Sequence, residues 1–113
     1  MATFTHAQLQ TLWNQAGGDP LSADRAAAIA QAESSGCQYA KAGPTDDRPV
    51  KSCTYRYTTS EDSSGLWQIN RDAHPQFDAA SLYTPAGNAA AAVEVSQAGL
   101  DFQPWTTFTN GAY

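Results

Sequence analysis

Basic residues are scarce in this chain: six Lys and Arg stand against eleven Asp and Glu, giving a formal net charge of -5 at pH 7. So few scattered cations cannot form the stripe that a phosphate backbone needs, and nucleic acid is excluded as a partner. Long hydrophobic runs are missing too. None exceeds the five residues of a run such as Ala89 to Val93, far below the roughly 18 residues of a membrane span, so no membrane insertion is expected. Met1 to His6 have neither the basic nor the apolar region of a secretory signal, and export is expected to be directed from elsewhere. Histidine occurs only at His6 and His74, which with Asp72 lack metal-ligand spacing. No metal and no cofactor is expected.

Cysteine is limited to Cys37 and Cys53, too far apart for the Cys-x-x-Cys pattern of zinc and redox sites. A structural disulfide or two buried thiols remain. The disulfide is preferred, because a loop of that length would restrict the unfolded chain by about 3 kcal/mol and a small extracytoplasmic protein gains from it. A Cys37 and His74 peptidase pair is disfavoured, since Cys37 follows a helix end and gains nothing from a helix dipole. What is present suffices for one core: 113 residues, 42% of them hydrophobic and 11% aromatic, make a single domain over residues 1–113 and a monomer the expectation, whether free-standing or part of a longer protein.

Three helices are legible. Thr5 to Gln8 forms a capping box, flanked by Phe4 and Leu9 as a hydrophobic staple. Leu9, Leu12, Trp13 and Ala16 then recur at helical spacing up to Gly17-Gly18, and Trp13 is read as a packing residue. A second helix starts with Ser22 as N-cap and Asp24 in its first turn and runs from Ala23 to Glu33. Thr84-Pro85 opens a third, read as continuing to Ala98 and stopping at Gly99. Between the second and third, Lys51 to Thr59 alternates as a half-buried strand does, with Cys53, Tyr55 and Tyr57 on one face. Asp72 to Tyr83 reads as loop with one helical turn.

One position breaks the pattern. Ala26, Ile29 and Ala30 form the apolar stripe of the second helix, and the next position on that face is Glu33. An unpaired buried carboxylate is costly, and such conflicts collect at functional sites. Desolvation and the negative end of the helix dipole would both raise its pKa, so that it keeps a proton near neutral pH. A general acid that protonates a glycosidic oxygen needs that property.

Glu33-Ser34-Ser35-Gly36, then Gly65-Leu66-Trp67-Gln68-Ile69-Asn70, then Pro85-x-x-Asn88 before an alanine helix, with Trp105 and an aromatic close, resembles the lysozyme-like superfamily. The likeness is greatest to the lytic transglycosylase type of domain found in bacterial cell-wall enzymes and in phage lysins and tail proteins. It implies an α+β fold, mostly helical, with a small β region between Cys37 and Asn70 forming one wall of a cleft. It further implies cleavage of the β-1,4 bond between N-acetylmuramic acid and N-acetylglucosamine in peptidoglycan, outside the cytoplasm, with Glu33 as acid and base. Gln68 and Gly65 would line the cleft. Ser34 and Ser64 are weaker candidates for orienting Glu33. Trp67 would stack on a sugar if it is not simply core, and Tyr113 is added from the aromatic tail.

Animal lysozymes carry a second carboxylate two residues before the glycine, where this chain has Ser63. Asp62 is the candidate replacement only if a bulge turns it inward; in a regular strand it faces away, and Glu61 would lie a pleat further off. The resemblance therefore favours anhydro-forming cleavage by one glutamate over two-carboxylate hydrolysis. A glycan-binding or tail structural module without turnover is the reading from another class.

Overall fold

The computed structural model describes residues 3–57 and 60–105. Helix α1 (His6–Gln15) begins with the capping box, the Thr5 hydroxyl accepting from the Gln8 amide while the Gln8 side chain accepts from that of Thr5. It buries Leu9 and Trp13. The Trp13 indole donates to the Asp19 carbonyl at 2.9 Å. Gly18 lies so close beneath that ring that a Cβ there would be 2.2 Å from it.

Helix α2 (Ala23–Ser34) packs on α1 and buries Ala26, Ala27, Ile29 and Ala30. Its start differs from the expectation. Ser22 makes no side-chain cap; a 3-10 turn at Pro20–Ser22 precedes the helix, and the Asp19 carboxylate caps that turn by accepting from the Leu21 amide. The Ser22 hydroxyl instead reaches the Gly99 carbonyl at 3.5 Å, which ties the start of α2 to the segment after the last helix. At the other end Ser35 takes a left-handed conformation, φ 55°, followed by Gly36 at φ 75°. That reversal leaves Glu33 in the final turn.

The β region is four strands of two residues each: β1 (Lys41–Ala42), β2 (Tyr55–Arg56), β3 (Ser63–Ser64) and β4 (Ile69–Asn70), in the order β2-β1-β3-β4. The half-buried strand expected over 51–59 is corrected to β2 alone. Cys53 turns to φ 70°, Tyr57 is 66% exposed, and Thr58 and Thr59 lie outside the described residues. Burial does not hold this segment. Covalent and ionic ties do: Cys37 and Cys53 are bridged with their Cα atoms 6.0 Å apart. Arg48 grips Asp46 in a bidentate pair and donates to the carbonyls of Tyr39 and Ser52. Bidentate guanidinium pairs of this kind fix direction as well as distance.

Alternation sorts the sheet into two faces. The register sets Arg56, Ala42, Ser63 and Asn70 opposite one another in one row, and Tyr55, Lys41, Ser64 and Ile69 in the next. On the second face Lys41, 1% exposed, is paired with Asp62 and, at 3.1 Å, with Asp47. Arg71 adds a longer contact to each carboxylate, and the Tyr83 hydroxyl donates to Asp47 at 2.6 Å. Partial burial alone would raise the Asp47 carboxyl; hydrogen bonds from Tyr83 and Lys41 outweigh it and hold it below the ordinary carboxylate value. The Tyr83 phenol is pushed up by burial and by its bond to Asp47.

A short helix α3 (Ala79–Leu82), capped by Asp78, leads to α4 (Pro85–Val95), where Thr84 caps the Gly87 amide and Pro85 fills the first turn. Helix α4 stops before the expected Ala98, because Gln97 and Ala98 both adopt positive φ ahead of Gly99. Its Asn88 side chain is fully buried. The amide accepts from the Trp67 N–H at 2.8 Å and donates to the Ser64 and Leu82 carbonyls, each at 2.9 Å. The aromatic core closes around this point: Trp13 contacts Trp67 and Phe102, Phe102 contacts Trp105, and the Trp105 indole donates to the Trp67 carbonyl at 2.6 Å.

Two outcomes are expected. Asn88→Ala strands one backbone donor and two acceptors in the interior and should lower unfolding free energy in urea by about 4 kcal/mol; a loss under about 1 kcal/mol would show the amide to be replaceable. The second concerns acid. A carboxyl whose folded pKa is depressed contributes stability that is present above its unfolded value and lost as pH falls through the folded one. Asp47, and Asp46 under Arg48, are both depressed. The urea midpoint should therefore fall between about pH 5 and pH 2. Lys41→Met should cost about 3 kcal/mol at neutral pH and flatten that acid dependence.

Candidate active site

The row Arg56, Ala42, Ser63, Asn70 forms the floor of a cleft opposite the last turn of α2. Ala42, the small residue in the middle of that row, is fully buried. Toward β4 the walls are Gln68, Asn70, Pro104 and Trp105, with Glu61 and Ser63, and the atom-free space is about 540 Å³. Toward β2 they are Ser34, Ser35, Thr54 and Arg56. Glu33 and Glu61 line both halves. Glu33 is half-buried and stands where the halves meet. The position read as a break in the apolar stripe is therefore a wall of the molecule's cleft.

Glu61 is held in place by Ser63, whose hydroxyl donates to its carboxylate at 2.7 Å. Both are on the cleft face because they are two residues apart on one strand line. Asp62, between them, goes to the opposite face, where Lys41 and Arg71 take its carboxylate. No bulge turns it inward, and the carboxylate sharing the cleft with Glu33 is Glu61.

The other expected site residues divide. Gln68 is in the cleft wall at φ 49°, with its side-chain nitrogen committed to the carbonyls of Ala40 and Gly65, each at 3.0 Å. Ser34 reaches the β2 half, but its hydroxyl donates to the Ala30 carbonyl at 2.9 Å, within its own helix. Ser64 is fully buried on the Lys41 face. Gly65 is buried at φ 81°, and a Cβ on it would come 2.2 Å from the Asn88 amide nitrogen. Its need for glycine is thus set by packing. Trp67 has no exposed surface and donates from its indole to the Ala26 carbonyl at 2.9 Å, so it is core and offers no face to a sugar. Tyr113 lies outside the described residues.

Several cleft residues had no role in the sequence reading, among them Thr54, Arg56, Ser63 and Pro104. For Ser63 the signal was available, since the two-residue period that removes Asp62 from the cleft keeps Ser63 and Glu61 in it. For Arg56 and Pro104 no local pattern points to the cleft, because pairing across the sheet and the packing of Trp105 bring them there.

No helix among the described residues is long and apolar enough to cross a membrane. No curated protein and no solved structure matches the chain significantly. A family model described as a lysozyme like domain matches residues 10–107, a span that includes both walls of the cleft and Glu33 between them. By that match over most of its length, the chain belongs to the lysozyme-like domain family.

Proposed function

We propose that this domain cleaves the β-1,4 bond between N-acetylmuramic acid and N-acetylglucosamine in peptidoglycan, with Glu33 as acid and then base. Glu33 gives its proton to the glycosidic oxygen, the C1–O bond breaks, and positive charge develops at the muramyl C1. The glutamate then takes the proton of that sugar's own 6-hydroxyl as O6 closes on C1, leaving a 1,6-anhydro end. The observation that carries this reading is the half-buried Glu33 at the centre of an open cleft in a lysozyme-like domain. Gln68, with its nitrogen engaged, offers the amide oxygen to a sugar N-acetyl or hydroxyl group. The disulfide suits work outside the cytoplasm, on the wall itself.

A second reading has one observation in its favour. Glu61 shares the cleft with Glu33 and is oriented by Ser63, which suits a hydrolytic muramidase with two carboxylates. The products separate the two. Mass spectrometry of digested walls should find anhydro-muramic ends, whereas reducing ends together with a comparable loss in Glu61→Gln would establish hydrolysis.

Glu33→Gln should lower the rate of turbidity loss of purified walls by about a hundredfold or more with unchanged thermal stability. A change within about tenfold would remove Glu33 from the acid role. Asp62→Asn should cost far less activity than Glu33→Gln and show its effect in stability. If wild-type protein clears no wall material yet binds it, the domain is a glycan-binding module.

A further inference from the structure

Positive charge is rare here and almost all of it is paired. Lys41 meets Asp47 and Asp62, Arg48 and Lys51 meet Asp46, and Arg71 meets Asp47 and Asp62. Arg25 also has a partner. Among the described residues, the Arg56 guanidinium alone makes no ion pair or hydrogen bond, although the chain carries a net charge of -5. It is also the one cation in the cleft walls named above. Pairing of β2 with β1 sets it at the end of the row Arg56, Ala42, Ser63, Asn70, beside the hydroxyl-bearing Ser35 and Thr54. The opposite half, with Gln68, Pro104 and Trp105, has no cation. The cleft is therefore polarised along its length, with amide and aromatic groups on one side of Glu33 and a guanidinium with hydroxyls on the other.

Resting on the glycan-cleaving role above, we propose that Arg56 is a specificity-determining residue that binds a carboxylate carried by the muramyl unit. A guanidinium is the side chain best matched to a carboxylate, by two parallel hydrogen bonds. Two sources present that chemistry on a muramyl sugar: the lactyl group itself, and the peptide attached to it. A neutral N-acetylglucosamine oligomer presents neither. Because β2 is anchored by the disulfide and by Arg48, the guanidinium is carried on a fixed wall. Arg56 thus discriminates by binding and takes no part in the proton transfers at Glu33.

Calorimetric binding to the full chain carrying Glu33→Gln, which prevents turnover, tests this with three tetrasaccharides: a neutral N-acetylglucosamine oligomer, a muramyl oligomer with free lactyl groups, and one with stem peptides. The carboxylate-bearing ligands should bind about tenfold tighter than the neutral one. Adding Arg56→Met should erase that advantage and leave the neutral oligomer within about twofold, while Arg56→Lys should keep part of it. Whichever muramyl ligand loses affinity identifies the carboxylate as lactyl or peptide. Equal losses for all three ligands, or none, would overturn the role of Arg56 while leaving the glycan reading intact. Absence of binding to every ligand would overturn both.

Discussion

The buried amide of Asn88 is the joint on which the cleft depends. It sits on α4, yet each of its hydrogen bonds is to backbone elsewhere: the Trp67 N–H and the Ser64 carbonyl in the β3–β4 hairpin, and the Leu82 carbonyl at the end of α3. A hairpin between two-residue strands has too few ladder bonds to fix its own position. An external clamp with both donors and the acceptor satisfied can do so, since a fully paired buried polar group is specific where an apolar contact would slide. Gly65 follows from this, because the amide approaches where any side chain would stand. So does the placement of Gln68 and Asn70, which leave the same hairpin as part of the cleft wall.

Opposite charges are handled differently on the two faces of the sheet. Behind it, Lys41, Asp47, Asp62, Arg71 and Tyr83 neutralise one another in a nearly closed network. In front, Glu33, Glu61 and Arg56 face an open groove. A one-residue slip of β3 would exchange the two sets, bringing Asp62 into the cleft and Glu61 toward Lys41. The Lys41–Asp62 pair and the Asn88 clamp both oppose that slip, so the register that builds the front is guarded from behind.

Sequence reading succeeds here where local chemistry decides. Thr5 with Gln8, and Thr84 with Pro85, start helices through bonds within one turn, and both are present as read. Glu33 was legible because a helical stripe makes a misplaced carboxylate conspicuous. The reading fails where remote contacts override a local pattern. Alternation over 51–59 mimics a half-buried strand, but a disulfide and Arg48 hold that segment at the surface. Gly99 looked like the end of α4, yet Gln97 and Ala98 had already left the helix. Gly65 belongs to the motif that carries the family likeness, and that likeness drew it into the cleft, whereas it serves the approach of Asn88; its neighbour Trp67 is core, as its default reading has it.

The strands are only two residues long, and among the described residues β2 and β4 stand at the edges of the sheet. An exposed edge recruits other chains in proportion to the run of unpaired amides and carbonyls it offers. Edges of this length offer almost none. Because the cleft wall draws its rigidity from Asn88, Arg48 and the disulfide instead of from long ladders, the domain needs no long strand edge, and edge-to-edge self-association finds little to template on when molecules are crowded at high local concentration.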